Sequence, residues 1–156
     1  LSRLILIVDG MTDPRNLGAC LRSANAAGVD AVLLPKRRIA PVGSTVMKVA
    51  QGGFEELTIA EIVNLARTLK WLQEKEVWII GADAAGESIW ESDIDNRSVA
   101  LVVGDEGKGL RRLTKELCDE MVSIPMFGKV ESLNVSVATG ILLFELRRKT
   151  AQSKNS

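Results

Sequence analysis

Four uninterrupted apolar runs constrain this chain most: LILIV at Leu4–Val8, AVLL at Ala31–Leu34, VWII at Val77–Ile80 and VALVV at Val99–Val103. A strand with one wet face alternates apolar with polar residues, whereas a continuous run of strand length needs cover on both faces. The intervals carry helical spacing: Leu17, Leu21, Ala24 and Gly28 in the first, Val46, Val49 and Ala50 in the second, and Ile62, Leu65, Leu69 and Leu72 in the third. Strand and helix alternate, so the expected class is α/β, a mainly parallel sheet with helices on both faces. Further on, the pattern predicts a helix at Leu110–Leu117, a short strand at Met121–Ile124 and a final helix from about Leu133 to Lys149. Residues 1–150 read as one domain, and the tail at 151–156 is expected to fray.

Composition narrows the chemistry. With 46% hydrophobic and 26% charged residues among 156, the chain holds apolar material for one sizeable core. No apolar run approaches the roughly 20 residues that a membrane span requires, and no basic-then-apolar leader opens the sequence, which favours a cytoplasmic protein away from membranes. The sequence starts at Leu1 directly on a strand-like run, which suggests a domain of a longer protein. Cys20 and Cys118, unclustered, read as free thiols. Twenty Lys and Arg against twenty Asp and Glu leave no global positive field, and the local clusters Lys36-Arg37-Arg38, Lys108 with Arg111 and Arg112, and Arg147-Arg148-Lys149 are of a kind more often solvated than phosphate-binding. His and Tyr are absent. The usual neutral-pH base is therefore missing, His-rich metal sites are excluded and no metal is expected; proton transfer falls to carboxylates, Lys, Cys, water or substrate.

In open parallel sheets, ligands bind beyond the carboxyl ends of the strands. The loop DGMTDPRNLGACLRSANAAG, residues 9–28, follows the first strand. Asp13-Pro14 makes a turn, Asn16 stands where a helix N-cap is expected, and Arg22 lies one turn above Gly18, able to lean back toward Asn16. A helix start with a guanidinium can hold a phosphate, and a capped helix with a surface arginine fits equally well. The loop VVGDEGKGLRRLT, residues 102–114, offers Gly104, Gly107 and Gly109 for close backbone approach to a ligand but matches neither the P-loop nor the dinucleotide fingerprint. Glu106 within it can orient a group or act as a base, although a solvated carboxylate is the commoner case.

The third loop is VESLNVSVATG, residues 130–140. Ser132, Asn134 and Ser136 alternate with Leu133, Val135 and Val137 as in a strand, yet Leu133, Val137, Ile141, Phe144 and Arg148 keep helical spacing. Pro125 and Gly128 end the preceding strand and leave the helical period to take over. Ser132 then fits as the N-cap, Leu133 and Val137 as core contacts, and Asn134 as a first-turn residue at the same sheet edge as the other two loops. Gly140, costing roughly 1 kcal/mol relative to Ala inside a helix, suggests close packing against another backbone.

NLGACLRSANAAG, VVGDEGKGL and SIPM followed by SLNVSVATGILLFE, in this order, resemble the three motifs of the SpoU (TrmH) family of the SPOUT superfamily, RNA ribose 2'-O-methyltransferases that use S-adenosylmethionine. The resemblance spans residues 4–148. Within the family it is nearest to bacterial members that methylate a guanosine of 23S ribosomal RNA, carried by DGMTDPRNLGACLRSANAAGVDAVLLPK and RRLTKELCDEMVSIPM. Asp105 stands where a smaller residue is usual. Those members carry a small N-terminal RNA-binding domain, which is expected to be absent from this sequence.

The resemblance implies a parallel sheet closed by a deep C-terminal trefoil knot, an exception to the general rule against knots. It also implies a homodimer joined through helices of the first and last motifs. By motif match, Gly104, Ile124 and Leu133 contact the cofactor with Gly81, Met126 and Asn134 nearby, and Asn16, Arg22, Glu106, Ser132 and Asn134 occupy active-site positions. The family assigns to Arg22 the activation of the ribose hydroxyl. A guanidinium whose pKa exceeds about 12 is a poor base, so phosphate clamping and stabilisation of the forming alkoxide suit it better. The expected substrate is ribosomal RNA. Transfer RNA, a catalytically silent knotted RNA-binding module and a doubly wound small-molecule enzyme are the alternatives.

Overall fold

In a computed structural model, the residues described are 2–36, 57–94, 97–105 and 107–152. The elements are β1 (Leu4–Val8), α1 (Pro14–Ala26), β2 (Ala31–Pro35), β3 (Ile59–Ile62), α2 (Leu65–Glu74), β4 (Val77–Ser88), a 3-10 turn (Ile89–Glu91), β5 (Ser98–Val103), α3 (Arg112–Leu117), β6 (Glu120–Ser123) and α4 (Val135–Gln152). The strands form one sheet in the order β3-β2-β1-β5-β4-β6, every neighbouring pair parallel. The α/β class and mainly parallel sheet expected from the apolar runs are therefore present. The helical spacing at Val46, Val49 and Ala50, the cluster residues Arg37 and Arg38, Glu106 and the last tail residues lie outside the described residues.

Alternate residues of β1 serve opposite layers. Leu4, Leu6 and Val8 pack with Leu17, Leu21 and Ala24 of α1 and with Leu142, Leu143 and Leu146 of α4. Ile7 faces the other way, toward Leu65, Leu69 and Leu72 of α2 with Ile79, Ala100 and Val102. Burying a Leu, Ile or Val of this set contributes about 1.5–3 kcal/mol relative to exposure, which is why the runs tolerate no polar residue.

Several boundaries differ from expectation for local reasons. Ile62 belongs to β3 rather than to the third helix, whose N-cap is Asn64, its side chain accepting from Arg67 N at 3.0 Å. Gly28 lies beyond α1, with φ +70, and ends that helix. The strand starting at Val77 continues to Ser88, with a register break against β6 between Ala82 and Glu87. Gly86 permits this excursion: a Cβ there would come within 2.6 Å of the Met121 backbone.

After edge strand β6 the chain returns to the middle of the sheet. There α4 lies against α1, and Arg147 donates to the carbonyl of Ala27 at 3.0 Å. A Cβ on Gly140 would approach the Ser23 hydroxyl to 3.3 Å, so this glycine fits against a side chain, not the backbone expected. The path is compatible with the trefoil knot that the resemblance implies.

Candidate active site

A cleft of about 630 Å³ opens beyond the carboxyl ends of β4, β5 and β6. Its walls come from the β4 excursion, the glycine loop after β5, the segment after β6 and the first turns of α4. All of these residues lie between Ala82 and Leu142.

The glycine loop is a closed turn. Asp105 N donates to Gly109 O at 3.2 Å and Gly109 N to Asp105 O at 2.8 Å, while the Asp105 side chain accepts from Gly107 N at 3.2 Å. Gly104 is buried under its stem: a Cβ there would sit 2.4 Å from Gly109 O. Asp105, unusual for the family pattern, thus stabilises the turn as an Asx-type acceptor.

Beyond β6, Ile124, Met126, Ser132 and Leu133 line the cleft. The helix here begins at Val135, later than expected. Asn134, not Ser132, has the capping role: its Oδ1 accepts from Ser136 N at 2.9 Å and from the Ser136 hydroxyl at 2.6 Å, and Ala138 N donates to Asn134 O. An amide side chain two residues before the first free N–H makes this bond readily. Leu133 and Val137, expected in the core, are 38% and 50% exposed: Leu133 precedes the helix and lines the cleft, and Val137 lies on a face of α4 that the described residues leave uncovered. Asn134 stands between two cleft-lining residues, Leu133 and Val135, but is not itself in the wall.

The first motif shifts in the same manner. Asp13 caps α1, accepting from Arg15 N at 2.8 Å, with Pro14 as first helical residue; Asn16 therefore lies inside the first turn rather than at the cap. Arg22 is exposed on α1. Neither residue is in the cleft wall. Gly81 also misses it: strand alternation points this position at the Met121 and Cys118 sulfurs on the opposite layer. The structure thus gathers Gly104, Ile124, Met126, Ser132 and Leu133 around one cleft and holds Asn16, Arg22, Asn134 and Gly81 outside its walls.

Sequence reading missed Asp83 and Lys115, which meet across the cleft wall at 2.8 Å. The Ala85 amide, then Lys115, hold the Asp83 carboxyl below its usual range, so it stays ionised at neutral pH. The available signal was an acidic residue following VWIIGA directly, at a strand's carboxyl end. Nearby, burial followed by the Asp119 charge pushes the Cys118 thiol up to about 11, which makes it a poor nucleophile.

The basic clusters separate into different tasks. Lys108 lines the cleft, Arg111 binds Asp9, and Arg112 pairs with Glu116. Arg147 holds the end of α1, Arg148 pairs with Glu145, and Lys149 is buried with its ammonium donating to Ser92 O at 2.8 Å. Among the described residues no helix is long and apolar enough to cross a membrane.

A family model described as the SpoU rRNA methylase family matches residues 3–144. The chain is 56% identical over 146 residues to the 23S rRNA (guanosine-2'-O-)-methyltransferase RlmB of Escherichia coli (strain K12), covering 93% of this chain and 60% of that protein. It thus spans about three-fifths of the length of this curated relative. Among solved structures, the AdoMet-bound rRNA methyltransferase from Sinorhizobium meliloti superposes with a TM-score of 0.86 at 29% identity, over 94% of this chain and 56% of that one. The A. aeolicus TrmH/SpoU tRNA modifying enzyme gives 0.85 at 28% identity, over 99% and 78%.

Proposed function

This chain belongs to the SpoU rRNA methylase family, and from that premise we propose that it methylates a ribose 2'-hydroxyl of RNA, a guanosine of 23S ribosomal RNA, using S-adenosylmethionine. The carrying observation is the convergence of the glycine loop, Ile124–Met126 and Ser132–Leu133 on one cleft in a fold shared with an AdoMet-bound rRNA methyltransferase.

The residues present suit this cofactor. The volume is that of a small-molecule site, Ile124, Val135 and Leu142 offer apolar contact for an adenine, and the glycine loop brings backbone within reach. When bound, the sulfonium supplies an already activated methyl group. The chain's task is alignment, which can lower a barrier by several kcal/mol. Gly104, Ile124 and Leu133 would hold the cofactor with Met126 beside them. Gly81 packs against Met121 in the layer behind, outside the cleft wall.

Arg22 grips the phosphate next to the target ribose and stabilises the forming alkoxide, with Asn16, Glu106, Ser132 and Asn134 completing the polar set. Two copies join through α1 and α4, a reading supported by Val137 and Phe144, 50% and 52% exposed on α4. The length that the relatives have beyond this chain supports a division in which this domain does the chemistry and another part recognises ribosomal RNA. Action on ribosomal RNA is consistent with the cytoplasm. The likeness to a tRNA modifying enzyme keeps transfer RNA as the second reading.

Labelled methyl transfer to ribosomal and transfer RNA pools, with mapping of the modified nucleotide, tests the assignment. A 2'-O-methylguanosine in 23S rRNA is expected. Label confined to transfer RNA would select the second reading. Calorimetry with S-adenosylhomocysteine should give a saturable isotherm without RNA, and no heat at millimolar ligand would overturn the cofactor assignment.

A further inference from the structure

Asp9 is the residue immediately after β1, and its carboxylate is 1% exposed. Its amide extends the ladder with β5, donating to Val103 O at 2.8 Å. From 102 positions later, Arg111 donates Nε to Oδ2 at 3.2 Å and Nη2 to Oδ1 at 3.3 Å; Thr114 adds a hydroxyl at 3.5 Å. Arg111 lies two residues after the glycine loop and immediately before α3, where it makes no side-chain cap bond.

The loop is thus fastened twice. At its stem, Gly104 abuts Gly109; at its exit, the guanidinium fork is held by a buried carboxylate. Asp9 in turn opens the β1–α1 loop, where Gly10 takes φ +87 and Met11 is fully buried before the Asp13 cap and Asn16. One carboxylate therefore connects the loop leading to Asn16 and Arg22 with the loop that walls the cleft. Burying a carboxylate, even one paired with a half-exposed guanidinium, is a poor choice for stability alone, since apolar groups of similar volume commonly do as well. A two-pronged fork does supply a single geometry.

We propose that Asp9 is a positioning residue for the cofactor cleft, setting through Arg111 the placement of the Gly104–Gly109 turn relative to the β1–α1 loop. This inference rests on the cofactor reading above. Neither Asp9 nor Arg111 lines the cleft, so their effect on binding is transmitted and not direct.

The test uses the full chain and S-adenosylhomocysteine as probe, with calorimetry, thermal melting and methyl-transfer kinetics. In Asp9→Asn the Arg111 side chain, 49% exposed, can rehydrate, so the variant should fold. Its Kd for S-adenosylhomocysteine should rise about tenfold, with the KM for S-adenosylmethionine rising in parallel. Arg111→Lys, keeping the charge without the fork, should fall between wild type and Asp9→Asn. A role in stability alone would lower the melting temperature and leave the Kd of the folded variant unchanged; that result overturns the proposal. Should Asp9→Asn fail to fold, Arg111→Lys decides: weaker binding supports the proposal and unchanged binding overturns it. Absence of binding by the wild type would instead sink the cofactor reading, a separate failure.

Discussion

At the amino ends of the strands, Asp30 accepts from Leu4 N at 2.8 Å and Asp119 from Ile79 N at 2.7 Å. At the carboxyl ends, Asp9 takes Arg111 at 3.2 Å, and Asp83 takes Lys115 at 2.8 Å together with the amide of Ala85 in the β4 excursion at 2.9 Å, whereas Arg3, paired with Asp30, is exposed. The first arrangement satisfies backbone donors and closes the sheet. The second ties separate segments to one another through side chains, beside the cleft or in its wall. Volume alone does not distinguish the ends. A hollow of about 540 Å³ lies at the amino end, lined in part by Trp78 and Arg97, whose guanidinium stacks over the indole at 4.3 Å. What differs is that the carboxylates at the amino end secure strand amides, while those at the carboxyl end link separate segments through cationic side chains.

This contrast can be broken most forcefully at Arg111. Arg111→Ala strips the bidentate donor from a buried carboxylate and should cost about 3 kcal/mol in denaturant unfolding, whereas Arg3→Ala, at the exposed Arg3–Asp30 pair, should cost under about 1 kcal/mol. Equal losses would erase the distinction between the ends. Gly104→Ala comes next. Its new Cβ must displace the Gly109 carbonyl, so about 2 kcal/mol of stability should be lost together with S-adenosylhomocysteine affinity, read by melting and calorimetry.

Helix caps give a smaller effect. Asp13→Ala should cost about 1 kcal/mol, while Asn16→Ala should leave stability nearly unchanged, because only Asp13 caps α1. Reversal of that order in urea titrations would restore Asn16 as the cap. Cys118 yields the mildest change. Its thiol is raised by burial, so the folded state holds the proton more tightly than the unfolded chain. That contribution is complete below pH 9 and declines as pH rises toward about 11. Wild type should therefore lose stability over this window relative to Cys118→Ser, and parallel profiles would refute the shift.

The apolar runs made the sheet legible because central parallel strands need cover on both faces, and LILIV and VALVV admit only that. IAEI at β3 escaped because an edge strand needs less apolar surface and its Ala60 and Glu61 are exposed. The β4 extension, ADAAGES, carries no period because it spans a register break. The second and third motifs located the cleft, the first lying outside its walls, while cap positions slipped by a few residues: Asp13 competed with Asn16, and Asn134 with Ser132, and residue type alone does not choose between adjacent capping side chains. Asp9 and Arg111 were invisible as a pair, since their separation of 102 positions carries no local signal.

The cleft draws its walls from residues beyond Ala82, while its last wall, α4, is secured to the end of α1 by Arg147 across 120 positions. Ordering these segments closes long loops before the contacts compensate, which slows folding. On a ribosome, β1, α1 and β2 emerge before the cleft walls and can begin to form, but the cleft is incomplete until α4 docks. Ligand capture is therefore a late event in the chain's synthesis, and acquisition of cofactor binding during refolding should trail the recovery of helical signal.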